Sequence, residues 1–163
     1  MSDLNHLNQL ARPELASELY RCCGSHNWAL QVARMIPFED EESLYRVADR
    51  VWQGLTSQDW LEAFEHHPRI GGTATSAWTK EEQSGATGAS SSVLEKLASG
   101  NLEYEKRFGH VFLVCATGKS ADEMLALLEA RIGNTPEVEL KIAAGEQAKI
   151  TRIRLEKLLR STT

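Results

Sequence analysis

Apolar positions recur at intervals of three and four residues along most of this chain, the periodicity of helices that bury one face. The cleanest run lies between Asp40 and Leu55, where Leu44, Val47, Ala48, Val51, Trp52 and Leu55 share one stripe. Ahead of it, Leu4, Leu7 and Leu10 predict a short amphipathic helix. Pro13 fits the first turn of a second helix that carries Leu15, Leu19 and Cys22 and is closed by Gly24. Trp28, Val32 and Met35 mark a third, stopped by Pro37. Thr56 then offers an N-cap, with Asp59 where a capping box would place Glu, and Trp60, Leu61 and Phe64 supply the buried face. Pro68 disfavours helical geometry at His67, so that helix is expected to end at His67 or one residue earlier.

The second half reads differently at first. Residues 71–92 are rich in Gly, Ser, Thr and Ala, and within them Trp78–Gln83 predicts one short helix capped by Thr79. A longer helix follows from Ser91, with Val93, Leu94, Leu97, Tyr104 and Phe108 on one side. The run Val111–Ala116 is wholly apolar, with β-branched and aromatic members, and is expected to be buried extended chain. Ser120 and Glu123 have the spacing of a capping box ahead of a stripe of Met124, Leu127, Leu128 and Ile132 that Gly133 closes. Thr135, Pro136 and Glu137 open a last helix in the order N-cap, N1 proline and first-turn acid. That helix carries Ile142, Ile150, Ile153 and Leu158 toward Arg160, and its basic end reads as a solvated face. The sum is an all-α chain, one domain over residues 1–163, with about seven or eight helices and one buried extended segment near 111–116.

Composition narrows the function. The 163 residues are enough for a real core, and 42% apolar with 25% charged residues is ordinary for a globular protein. A net charge of −5 without a dense basic run argues against a nucleic-acid partner. No apolar run approaches the roughly 20 residues that span a bilayer, so no membrane association is expected. The first residues lack the basic and apolar regions of a signal peptide, and the last are not a Ser-Lys-Leu address. Three cysteines, Cys22, Cys23 and Cys115, form no disulfide framework and suit a reducing cytoplasm. Metal-ligand spacing is absent: there is no Cys-x-x-Cys or His-Glu-x-x-His, and the neighbours His66 and His67 would point about 100° apart on a helix.

One constellation offers chemistry. His67 sits where a helix is turned aside by Pro68, and Glu82 and Gln83 follow about fifteen residues on, past the Gly71-Gly72 turn. An imidazole moves protons near neutral pH. A carboxylate beside an amide accepts and donates the bonds of a nitrogen-rich small molecule. Arg69, Arg107 and Lys119 are cations that would favour an acidic substrate. Cys115 lies in the apolar run, which raises a thiol pKa and marks an inert residue. There is no Gly-x-Ser-x-Gly elbow, and the Gly-rich residues 85–88 lack the ending of a phosphate loop.

Four segments taken together resemble the OHCU (2-oxo-4-hydroxy-4-carboxy-5-ureidoimidazoline) decarboxylase family. They are His67-Pro68-Arg69-Ile70-Gly71, Glu82-Gln83-Ser84-Gly85, Arg107–Phe112 continuing through Leu113–Ala116 to Gly118-Lys119-Ser120, and Glu146–Ile150 followed by Arg152–Leu155. The resemblance runs from Phe38 onward. It implies an all-helical decarboxylase without a cofactor, commonly a homodimer, that converts OHCU to (S)-allantoin in urate breakdown. Carried onto this chain, it implies His67 as the catalytic acid–base with Glu82 beside it. Pro68, Thr79, Glu82 and Gln83 would contact substrate, and Phe112, Leu113, Val114, Cys115 and Ala116 would do so largely through their backbone. Some relatives have Asp in place of Arg69 and Arg in place of Thr117, which leaves open whether Arg69, Arg107 or Lys119 meets the substrate carboxylate. The competing readings are a non-catalytic helical interaction module, and a decarboxylase or hydrolase for another ureido compound.

Overall fold

The computed structural model describes residues 3–70, 82–84 and 90–161, and among these described residues the stripes become eight helices. They are α1 (Leu4–Gln9), α2 (Arg12–Cys22), α3 (His26–Ala33), α4 (Glu41–Gln53), α5 (Ser57–Phe64), α6 (Ser91–Phe108), α7 (Ala121–Arg131) and α8 (Pro136–Ser161). No strand occurs among the described residues. None of the described helices is long and apolar enough to cross a membrane. The chain forms two compact units, residues 1–63 with 148–163, and residues 64–147.

In the first unit the expected stripes are the core. Leu15, Leu19 and Cys22 of α2, Trp28 and Val32 of α3, and Leu44, Ala48 and Trp52 of α4 are all buried. The Trp28 indole donates to the Ala48 carbonyl at 2.9 Å, so α3 is pinned to α4 by a bond as well as by packing. Met35 is 52% exposed, because α3 ends at Ala33 before the stripe reaches it. Thr56 and Asp59 cap α5 reciprocally: the Asp59 N–H donates to Oγ1 of Thr56 at 3.3 Å, and Oδ2 of Asp59 accepts from the Thr56 N–H at 3.4 Å. The shorter Asp thus does part of what Glu does in a capping box. The basic end of α8 is less uniform than expected. Arg152 and Arg160 are exposed, whereas Arg154 is buried. Burial pushes the Cys22 and Cys23 thiols up, to about 12 for Cys23, and the Arg154 charge opposes that rise in both.

The second unit is built on α6, α7, the first part of α8 and the chain between them. Its core holds Leu97 and Tyr104 of α6, Met124 and Leu128 of α7, and Phe112 and Val114 of the segment that joins those helices. Ser90 caps α6 by accepting the Val93 N–H, and Gly109 ends it with φ 81°, a left-handed conformation that glycine adopts without strain. A Cβ on Gly100 would lie 3.0 Å from a Leu128 methyl, so glycine there permits the close approach of α6 to α7. The Ser120–Glu123 capping box is present in full. Residues 111–116 form neither helix nor strand, and 112–116 are buried, as the apolar run predicts. Leu94, Leu127 and Ile142, placed on the expected stripes, stand at 36% exposure on the outer edge of each apolar face.

A buried polar cluster holds the 111–116 segment. Glu139 of α8 is fully buried, and its Oε1 accepts from Arg131 Nε at 2.7 Å and from the Tyr104 hydroxyl at 2.5 Å. Its Oε2 accepts from the Asn134 amide at 3.1 Å. Arg131 also donates from Nη1 to the Leu113 carbonyl at 2.8 Å and lies over the Phe112 ring at 4.7 Å. Burial and the Glu139 contact raise the Tyr104 phenol far above its ordinary range, so it remains a donor. Removing the charge from one partner strands the other, which costs about 3–5 kcal/mol for a buried pair. Glu139→Gln should therefore lower the unfolding free energy by that much, read as a fall of the urea midpoint at unchanged slope. An unchanged midpoint would show that the cluster does not hold the segment.

Candidate active site

α5 ends at Phe64, not at His66 or His67. The His67 N–H closes a tighter turn onto the Phe64 carbonyl at 3.1 Å, which releases the chain before Pro68 would have forced it out. His66 is exposed, while His67 and Pro68 are half-buried. Nε2 of His67 lies 2.6 Å from Oε1 of Gln147, a fully buried residue on α8.

The neighbour of Gln147 continues the cluster. Oε1 of Glu146 accepts the Cys115 N–H at 3.0 Å, and Lys119 Nζ donates to the Cys115 carbonyl at 2.7 Å. Burial raises the Cys115 thiol above its ordinary range. The Lys119 charge opposes that rise, and the carboxylates of Glu146 and Glu82 add to it. Glu82 is itself buried. His67, Cys115 and Lys119 are thus linked through Glu146 and Gln147, from three separate stretches of sequence. Gln83 is half-buried beside Glu82. Thr79 and the Gly71-Gly72 turn lie outside the described residues.

The backbone of 112–116 is already partly engaged. The carbonyls of Leu113, Cys115 and Ala116 accept from Arg131, Lys119 and the Lys119 N–H respectively. A carbonyl has a second lone pair for a ligand, but an N–H has one hydrogen. The Cys115 N–H is committed to Glu146.

The three candidate cations separate as well. Arg69 forms a forked pair with Glu105 at 2.9 and 2.8 Å, both bonds on the exposed surface. Arg107 donates to the Asn134 carbonyl at 2.9 Å. Lys119 is the one whose ammonium sits against the 112–116 segment. Sequence reasoning gave no role to Glu146 and Gln147. Their only signal was membership of a family-like motif, since their partners lie 31 and 80 residues away.

With this geometry in place, comparison with known proteins is informative. The profile described as OHCU decarboxylase matches residues 8–156. The chain belongs to the OHCU decarboxylase family. It is 41% identical over 145 residues to the uric acid degradation bifunctional protein TTL of Arabidopsis thaliana, an alignment that covers 84% of this chain and 45% of that protein. A uric acid degradation bifunctional protein of Bacillus sp. (strain TB-90) is 24% identical across 98% of this chain and 33% of its own length. The chain thus spans about half or less of these curated relatives. A crystal structure of an OHCU decarboxylase in the presence of (S)-allantoin superposes with a TM-score of 0.80 at 42% identity, covering 88% of this chain and 98% of that one. A structure of (S)-allantoin synthase shares the fold, with a TM-score of 0.76 at 20% identity over 98% of this chain and 54% of that chain.

All three cysteines of this family member are buried, and the raised thiol pKa values leave almost no thiolate at neutral pH. The native protein should therefore resist iodoacetamide at pH 7 while the urea-unfolded chain is alkylated at every cysteine, as read by mass spectrometry. Rapid labelling of native Cys115 would make it a candidate nucleophile and overturn its assignment as an inert wall.

Proposed function

We propose that this protein decarboxylates OHCU to (S)-allantoin in urate catabolism, with His67 as the acid–base group. What supports this reading is a pair of adjacent α8 residues, Glu146 bonded to the Cys115 backbone and Gln147 to His67, in a chain of this family. The relatives in urate degradation and the likeness to a structure obtained with (S)-allantoin support the substrate class. The family match runs across both compact units, which supports reading the chain as one catalytic domain. A homodimer in the cytoplasm fits the family resemblance and the reduced cysteines.

The reaction asks for positioning and proton transfer. In OHCU, C4 carries the carboxylate and a hydroxyl, and C5 is doubly bonded to a ring nitrogen. Breaking the C4–carboxylate bond releases CO2 and sends its electron pair into a C4=C5 bond. The former C=N pair moves onto nitrogen, which takes up a proton. The C4 hydroxyl then loses its proton as C4=O forms, and C5 gains a proton on one face. The substrate is its own electron sink, so the chemistry needs no external one. His67 handles the hydroxyl proton and delivers a proton to C5. Glu82 and Gln83 hold the ureido and ring N–H groups, with Pro68, Thr79 and the 112–116 segment completing the surround. Lys119 is the cation we assign to the substrate carboxylate, because its ammonium lies against the 112–116 segment, whereas Arg69 pairs with Glu105 on the exposed surface and Arg107 reaches the Asn134 carbonyl.

OHCU decays spontaneously to racemic allantoin, so circular dichroism of freshly generated substrate isolates the enzyme's contribution. The wild type should yield an optically active product. His67→Asn should lose that signal, a fall in rate of about 100- to 10,000-fold for a missing acid–base group, with an unchanged helical spectrum. Wild-type turnover by that variant would remove His67 from the mechanism. No stereospecific product from the wild type would favour the rival reading as an interaction module.

A further inference from the structure

The closest polar contact of the His67 ring described above is with a neutral side chain. Oε1 of an amide has lone pairs and no hydrogen, so it bonds Nε2 only when that nitrogen carries a proton. The 2.6 Å contact with Gln147 therefore selects one of the two neutral forms of His67. Gln147 is fully buried and sits near the middle of α8, a helix of 26 residues. Its backbone is fixed by turns on both sides, so the amide is presented from a rigid element. We infer that Gln147 is a positioning residue that holds His67 as the Nε2–H tautomer, so that Nδ1 is the nitrogen that exchanges protons with substrate.

This inference rests on His67 being the acid–base group, and it adds which atom acts and what selects it. As base, Nδ1 takes the hydroxyl proton and the ring becomes an imidazolium. Throughout that step Nε2–H stays on Gln147. As acid, Nδ1–H passes its proton to C5 and the ring returns to its starting form, so protons balance over the cycle. A carboxylate at position 147 would also accept Nε2–H, but it would favour the imidazolium and hold it to higher pH. The amide fixes the tautomer without that bias. Glu82, Glu146 and Lys119 are all retained in a variant at 147, so the shift of the pH profile is read with these charges in place.

Nitrogen-15 NMR of the full chain labelled at its five histidines reads the tautomer directly, with His67→Asn identifying the His67 signals. Above the pH at which His67 loses its charge, Nε2 should show the protonated signature and Nδ1 the unprotonated one. The opposite pattern overturns the inference, because it would mean that the amide donates to the ring. Gln147→Leu should abolish the preference and lower kcat by about 10- to 100-fold with little change in KM, as for other partners that orient a histidine. Gln147→Glu should move the histidine limb of the pH–rate profile up by about 1–3 pH units. An unmoved limb counts against the inference even if activity falls. The wild-type spectrum decides the tautomer whether or not the variants fold. Stereospecific turnover with an Nδ1–H spectrum sinks the role of Gln147 alone. A chain that makes no (S)-allantoin sinks the parent reading whatever its spectrum.

Discussion

Glu139 is shut off from water, and a carboxylate in that position must be paired or lose its charge. Arg131, Tyr104 and Asn134 converge on it from α7, α6 and the turn before α8. The pairing ties three elements of the 64–147 unit at one point, and it also reaches the chain between α6 and α7. Arg131 gives Nε and Nη2 to Glu139, spends its third nitrogen on the Leu113 carbonyl and lays its guanidinium against Phe112. An irregular buried segment has no ladder to satisfy its backbone, so side chains must do so. Arg131 does it at Leu113, and Glu146 and Lys119 do it at Cys115. The stiffness of residues 112–116 thus comes from charged side chains that are themselves held, and the apolar wall of the candidate site depends on a salt bridge outside it.

The same accounting separates structural from chemical groups in the cluster. Cys115 has a thiol that burial keeps protonated, and its N–H is committed to Glu146. Its place near Glu82 and Lys119 gives it position without reactivity. The Lys119 charge acts on Cys115 against the Glu146 and Glu82 carboxylates, which lessens the negative charge there.

Local features were legible in the sequence because their causes are local. The Ser120–Glu123 capping box and the Thr135-Pro136 start both act within a turn, and the helices they open follow the apolar spacing. The Val111–Ala116 run was legible as buried for the same reason. The end of α5 was displaced to Phe64, since proline constrains only the residue before it and leaves earlier turns free to tighten. His67 and Glu82 could be singled out by type and neighbourhood. Their partners could not. A glutamine 80 residues away and an arginine that reaches back 18 residues to a carbonyl have no periodic signature. Arg154 shows the same limit: a basic helix end reads as solvated, and which of its cations turns inward depends on what packs beside it.

The neutral partner of His67 fits what the proposed chemistry demands. A reaction in which one imidazole both removes and returns a proton is fastest when neither charge state is strongly preferred. A carboxylate, Glu146, neighbours Gln147 on α8, yet it is turned to the Cys115 backbone. On α8, successive side chains point about 100° apart, so Glu146 and Gln147 necessarily serve different directions. That single step of helix geometry sends the charge to the backbone wall and the amide to the ring. It lets one turn of α8 hold both the Cys115 backbone and the His67 ring, the wall and the acid–base group of the proposed site.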